Sequence, residues 1–138
     1  MNWVDRKAQR EHVLRNQANE VWQTARAAIQ DACESCRTHY PNSKLEDQLE
    51  NGHRIRITVS YMADDNFYGK KPAVCVVLVA FNAQPPCIDV TMDDAPLRRF
   101  PINADQENAF LLSGNERISA DEFSRRVLEP AFKKWEAW

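Results

Sequence analysis

The chain has 138 residues, 43% of them hydrophobic and 28% charged, with 18 basic against 20 acidic side chains. A chain of that size builds a core without disulfides or metal, and that composition excludes disorder throughout. A net charge of −2 supplies no field to gather nucleic acid or an anionic membrane.

Met1 to Lys7 carries no apolar stretch behind its basic residues, so no secretory leader is expected. No run of about 18 apolar residues is present to span a membrane. Cys33, Cys36, Cys75 and Cys87 are read as reduced thiols of a cytoplasmic protein, because the core needs no staples.

Residues 1–40 contain neither Gly nor Pro. Leu14, Ala18, Val21, Ala25, Ala28 and Ala32 recur at steps of four and three, which predicts a helical stripe. Val13, Trp22, Ile29 and Cys33 widen it, and the alanines allow close approach of a packing neighbour. Tyr40-Pro41-Asn42 is a stop signal, since Pro disfavours helix in the residue before it. A continuous helix from Asp5 to Thr38 is about 50 Å long, in a domain roughly 35–40 Å across. Either it breaks near Asn16 to Asn19, where Asn caps a second segment, or its first turns protrude towards a partner.

Residues 41–52 read as a loop with a helical turn around Leu45 to Leu49. Arg54 to Tyr61 alternates strictly, with Ile55, Ile57, Val59 and Tyr61 on one side, and predicts a strand. Residues 63–72 read as a hairpin connection. Ala73 to Phe81 is apolar on both faces, so one set, either Cys75, Val77 and Val79 or Val74, Val76 and Leu78, lands on an otherwise polar face. Cys87 to Met92, Arg98 to Asn103 and Asn108 to Ser113 supply three more strands, with Pro101 near an edge or bulge. Short connections favour an antiparallel meander.

Ser119 with Glu122 is a capping-box pattern opening a last helix. Its stripe is Phe123, Val127, Ala131, Trp135 and Trp138, beside Leu128 and Phe132. Pro130 predicts a kink or break there. The expected fold is α+β: one two-layer domain over residues 1–138. A helical region at 1–40 and a C-terminal helix at 119–138 pack on one face of a meander of about five strands at 53–113.

Motifs that carry chemistry are sparse. Cys33 and Cys36 share a helical face, with His39 three residues on, and form a candidate zinc site lacking a second ligand pair. Redox chemistry is disfavoured near a helix C-terminus, where the dipole opposes a thiolate. Arg54, Arg56 and Asp89 are a candidate ligand-binding set on the polar sheet face, against the alternative of cross-strand ion pairs on a solvated face. The acidic turns Asp64-Asp65-Asn66 and Asp93-Asp94 lack calcium-loop spacing and read as turn chemistry. His12, His39 and His53 are scattered, no Gly-x-Ser-x-Gly occurs, and three glycines cannot build a phosphate cradle. Trp22 and Trp135 read as core. Trp3 and Trp138, at the two ends, are candidate anchors for a partner.

No cofactor is expected. The reading that fits is a non-enzymatic interaction module whose partner is a second copy of itself or another protein, with neither nucleic acid nor membrane as partner. The alternatives are a small enzyme or small-molecule binder using Arg54, Arg56 and Asp89, or a zinc site at Cys33, Cys36 and His39.

Overall fold

The computed structural model describes residues 1–65 and 69–136, the side chains of Trp135 and Glu136 excepted. Its order is α1 (Trp3–His39), β1 (Lys44–Glu50), β2 (Arg54–Asp65), β3 (Gly69–Ala83), β4 (Pro86–Met92), β5 (Arg98–Ala104), β6 (Ala109–Ser113), β7 (Glu116–Ile118) and α2 (Ala120–Glu136). The seven strands form one antiparallel meander in chain order, and both helices pack on it in a two-layer α+β arrangement. The expected architecture stands, with seven strands where five were expected.

The two extra strands lie where the sequence signal was weakest. Residues 44–50 form β1 rather than a loop with a helical turn, and pair with β2 from Lys44↔Ser60 to Glu50↔Arg54. Leu45 and Leu49 are four apart, a spacing that suits one face of a helix and one face of a strand equally. Strand β7 has only three residues, added after the Ser113-Gly114-Asn115 turn, where Gly114 takes a φ of +62°.

Helix α1 is unbroken over 37 residues, about 55 Å at 1.5 Å per residue. It starts at once, because Asn2 and Asp5 close a reciprocal capping box. The break considered at Asn16 does not occur; the Asn16 amide contacts His12 one turn back at 3.0 Å. The first turns protrude instead. Every residue from Met1 to His12 is exposed, and Val13 is the first buried one. Gln17 holds the helix down: its amide donates to the Glu107 carbonyl at 3.0 Å and its carbonyl accepts from the Ala109 N–H at 2.8 Å.

The buried line of α1 runs through Ala18, Trp22, Ala25, Ile29, Cys33 and Cys36. The stripe is therefore rotated from the expected alanine seam, and Leu14, Val21, Ala28 and Ala32 sit at its margin. The alanines make room for α2, where the buried Ser124 hydroxyl donates to the Ala28 carbonyl at 3.3 Å. Trp22 is fully buried, stacks on Phe81 at 5.9 Å and donates to the Gly52 carbonyl at 2.9 Å, which pins α1 to the β1–β2 turn.

Helix α2 begins as expected, with the Glu122 N–H donating to the Ser119 hydroxyl at 3.0 Å. Pro130 does not end it, and α2 runs on to Glu136. A proline here leaves the Arg126 carbonyl without its helical N–H. Arg98 fills that gap, its Nη1 donating to the Arg126 carbonyl at 2.7 Å. Phe123, Val127, Leu128 and Ala131 face the core. The expectations for Trp135 and Trp138 fall outside the described residues.

Beneath the helices lie Ile55, Ile57 and Val59 of β2, Cys75, Val77 and Val79 of β3, Ile88 and Val90 of β4, and Phe100 and Ile102 of β5. Register settles which apolar set of β3 is inside. Val59 pairs with Cys75 and Ile57 with Val77, so the odd residues face the core and Val74, Val76, Leu78 and Ala80 face outwards. Pro101 sits at the last β5 position paired with β4, just before β5 passes to β6.

Candidate functional site

The outer sheet face carries the sequence-derived set of polar residues. Arg54, Arg56 and Asp89 all stand on it, but β3 separates the arginines from the aspartate. Arg54 pairs with Ala80 and Ala80 with Asp89, so the two charges are two strand spacings apart, about 9.6 Å between backbones.

Each charge already has a near neighbour of opposite sign. Glu50 lies 3.6 Å from Arg54 and accepts from Arg56 Nε at 3.0 Å. Asp89 receives Arg99 in a fork, Nε to Oδ1 at 2.8 Å and Nη2 to Oδ2 at 3.1 Å, and also accepts from the Asn82 amide at 2.8 Å. The Arg99 guanidinium is raised above its ordinary range by that Asp89 hydrogen bond. Glu50 and Arg99 are the members that sequence reading missed. Glu50 belongs to a strand whose sequence reads as a loop, and Arg99 adjoins Arg98 in the chain although the two point to opposite faces of β5.

From Ala80, between these ion pairs, an apolar strip runs along β3 through Leu78 and Val76 to Val74. Val74 is 54% exposed, and Met62, near it on β2, is 38% exposed. Both helices pack against the opposite face. An antiparallel sheet tolerates one wet face, but an interior strand such as β3 then ordinarily alternates apolar with polar residues. This one presents aliphatic side chains where Thr58 and Ser60 beside it are polar. The signal was present in the sequence as the doubly apolar run 73–81.

Cys33 and Cys36 come together on α1, and both are buried. Burial, reinforced by the Asp47 charge, pushes the Cys33 thiol up to about 12, and burial also raises Cys36. Those shifts favour the protonated thiol, whereas a metal ligand or nucleophile is a thiolate. His39 is exposed at the helix end. Among the described residues, no three His, Cys, Asp or Glu side chains converge as a metal-binding group. Cys75 is likewise raised, to about 11, by burial and then by Asp93. Asp93 itself takes a φ of +45° in the turn closed by the Ala95 N–H donating to the Met92 carbonyl at 2.8 Å, and its carboxylate accepts from the Val76 N–H of the neighbouring strand at 3.0 Å.

Trp3 is 72% exposed on the protruding start of α1. An open cleft beside it is lined by Arg6, Arg10, Asp105, Gln106 and Glu107. Its charges are mixed in sign, and it lies far along the chain from Trp138, which falls outside the described residues. No helix among the described residues is long and apolar enough to cross a membrane.

Comparison of the chain with protein-family models, curated proteins and solved structures found no match.

Proposed function

We propose that this chain is a non-enzymatic protein-interaction module, a single domain acting in the cytoplasm, that pairs with a second copy of itself. One observation carries the reading. Strand β3, in the interior of the sheet, presents Val74, Val76 and Leu78 on the face opposite both helices, with Val74 more than half exposed. A contiguous apolar strip flanked by Thr58, Ser60 and Thr91 and bounded at Ala80 by charge has the composition of an interface core inside a polar rim. Leaving it in water forfeits roughly 25 cal/mol for each Å² that burial removes from solvent.

Two further features support the same reading. The polar groups on that face are held in ion pairs rather than converging on a pocket. The four cysteines are free, buried thiols, a state that suits a reducing compartment.

Native mass spectrometry of the purified chain tests the proposal, and the same spectrum reports any retained metal or small molecule. The expected spectrum contains a species of twice 16.0 kDa that grows with concentration. A spectrum confined to the single chain at every concentration overturns the homodimer. A retained small molecule in stoichiometric amount transfers the reading to a ligand binder.

A further inference from the structure

We infer that two copies pair outer face to outer face about a two-fold axis running along β3, with Arg54 of each copy over the partner's Asp89. This deepens the proposed function and rests on it.

The starting point is a single row across the sheet. Glu50 pairs with Arg54, Arg54 with Ala80, Ala80 with Asp89 and Asp89 with Arg99. All five point outwards. Read from β1 to β5 the charges are minus, plus, neutral, minus, plus. Read backwards, every sign is reversed. The row is antisymmetric about Ala80, which lies on the apolar strip itself.

Two sheets of one kind can be stacked face to face by a two-fold axis along the strands or across them. An axis across the strands lays each strand on its own equivalent, so Arg54 meets Arg54 and Asp89 meets Asp89. An axis along β3 exchanges the two sides of the sheet. Arg54 then lies over the partner's Asp89, and Glu50 over the partner's Arg99. Ala80 meets its own equivalent, and so does Leu78. The charge order thus selects the second axis, because like charges set opposite each other repel while complementary ones fix register. The intramolecular pairs are kept, and each charge gains a second neighbour of opposite sign.

Packing geometry fits this choice. Stacked sheets lie about 10 Å apart and cross at about −30° because each is twisted. Such a crossing separates the ends of β3 and keeps its middle in contact. The middle of the strip is Val76 and Leu78, and the charged row crosses β3 at Ala80, the next outward position after Leu78. At strand spacings of about 4.8 Å and rises of about 3.4 Å, five strands by seven residues give a flat footprint of roughly 550 Å². Side-chain relief raises the accessible area towards the ~800 Å² per partner of a standard interface. The result is a dimer that forms with concentration rather than an obligate one.

Two charge reversals test the arrangement. In Arg54→Asp, both symmetry-related contacts become acid against acid; in Asp89→Arg, both become base against base. Each variant alone is expected to dimerise at least about tenfold more weakly than the wild type in sedimentation velocity. An equimolar mixture is expected to restore the dimer as a heterodimer, because Asp at 54 in one chain then meets Arg at 89 in the other, and the remaining contact is the native Arg54 with Asp89.

Circular dichroism checks the fold of each variant. Should a reversal fail to fold, Arg54→Gln and Asp89→Asn replace it, each expected to weaken the dimer several-fold. A wild type that dimerises while these variants match it, or a mixture that stays monomeric when both variants fold, overturns this arrangement and leaves self-association standing. A wild type that stays monomeric overturns self-association itself.

Discussion

Arg98 Nη1 reaches from β5 to the carbonyl of Arg126 at 2.7 Å, the acceptor that Pro130 deprives of its helical donor. A single long side chain thus completes the backbone hydrogen bonding of α2 and ties that helix to the sheet. Burial lowers the Arg98 pKa, the expected direction for a cation that gives up water. Arg98→Met keeps the aliphatic stem and strands the Arg126 carbonyl, and is expected to cost about 1–3 kcal/mol. Adding Pro130→Ala restores the helical N–H and should recover part of that loss. A double-mutant cycle by urea denaturation measures it. Additive effects of the two changes would contradict the coupling.

Trp22 anchors α1 through stacking on Phe81 and a 2.9 Å bond to the Gly52 carbonyl. Trp22→Ala should destabilise by about 3–5 kcal/mol, the range for a buried aromatic. Trp22→Phe keeps much of the packing and removes the donor. The Gly52 carbonyl retains Arg26 Nη1 at 3.3 Å, so a smaller loss of about 1–2 kcal/mol is expected. Equal urea midpoints for Trp22→Phe and wild type would show the hydrogen bond to be without net effect.

The thiols should be inert in the folded state. All four cysteines are buried, and burial raises Cys33 from 9.0 to about 12. At pH 8 a thiol reagent should label them slowly in buffer and completely in denaturant. The same shift sets a direction for alkaline stability. A group raised in the folded state binds its proton there more tightly than in the unfolded chain. Its contribution is full below pH 9 and is lost as pH rises towards about 12. A stability curve that is flat or rising over that window would contradict the assignment.

Asp105 shifts the opposite way. Its Oδ1 accepts from the N–H groups of Asn108 and Glu107 at 2.7 and 2.8 Å, and these bonds hold its carboxyl below the usual range. A depressed carboxyl contributes stability above its unfolded value and loses it as pH falls through the folded one. Asp105→Asn keeps an oxygen acceptor for both N–H groups but no titration. It should therefore flatten the acid limb of the stability curve while leaving the loop intact. An unchanged acid limb would rule Asp105 out as its source.

Much of the fold was legible in the sequence because its longest signals are unambiguous. The alternation from Arg54 to Tyr61 admits only a strand, and the run without Gly or Pro to residue 40 admits only a helix. Strand β1 was hidden because Leu45 and Leu49 satisfy two periods at once. The continuity of α2 through Pro130 was hidden because its remedy, Arg98, lies 28 residues upstream of Arg126. For the outer face, the composition was visible and the geometry was not. Arg54, Arg56 and Asp89 could be named from alternation alone. Their separation by Ala80 and their partners Glu50 and Arg99 depend on strand register, which local pattern does not fix.

The central claim is that copies of this chain meet through the outer face of β3. Sedimentation velocity of the wild type beside Leu78→Asp, over a wide concentration range, tests it most directly. Leu78 is half-buried on the outer face, so an aspartate there reaches solvent in the monomer and becomes an unpaired buried charge in the dimer. The wild type is expected to pass from 16.0 kDa to twice that mass as concentration rises, while folded Leu78→Asp remains at the lower mass. A wild type that never leaves the lower mass, or a Leu78→Asp variant that dimerises as readily as the wild type, would contradict it.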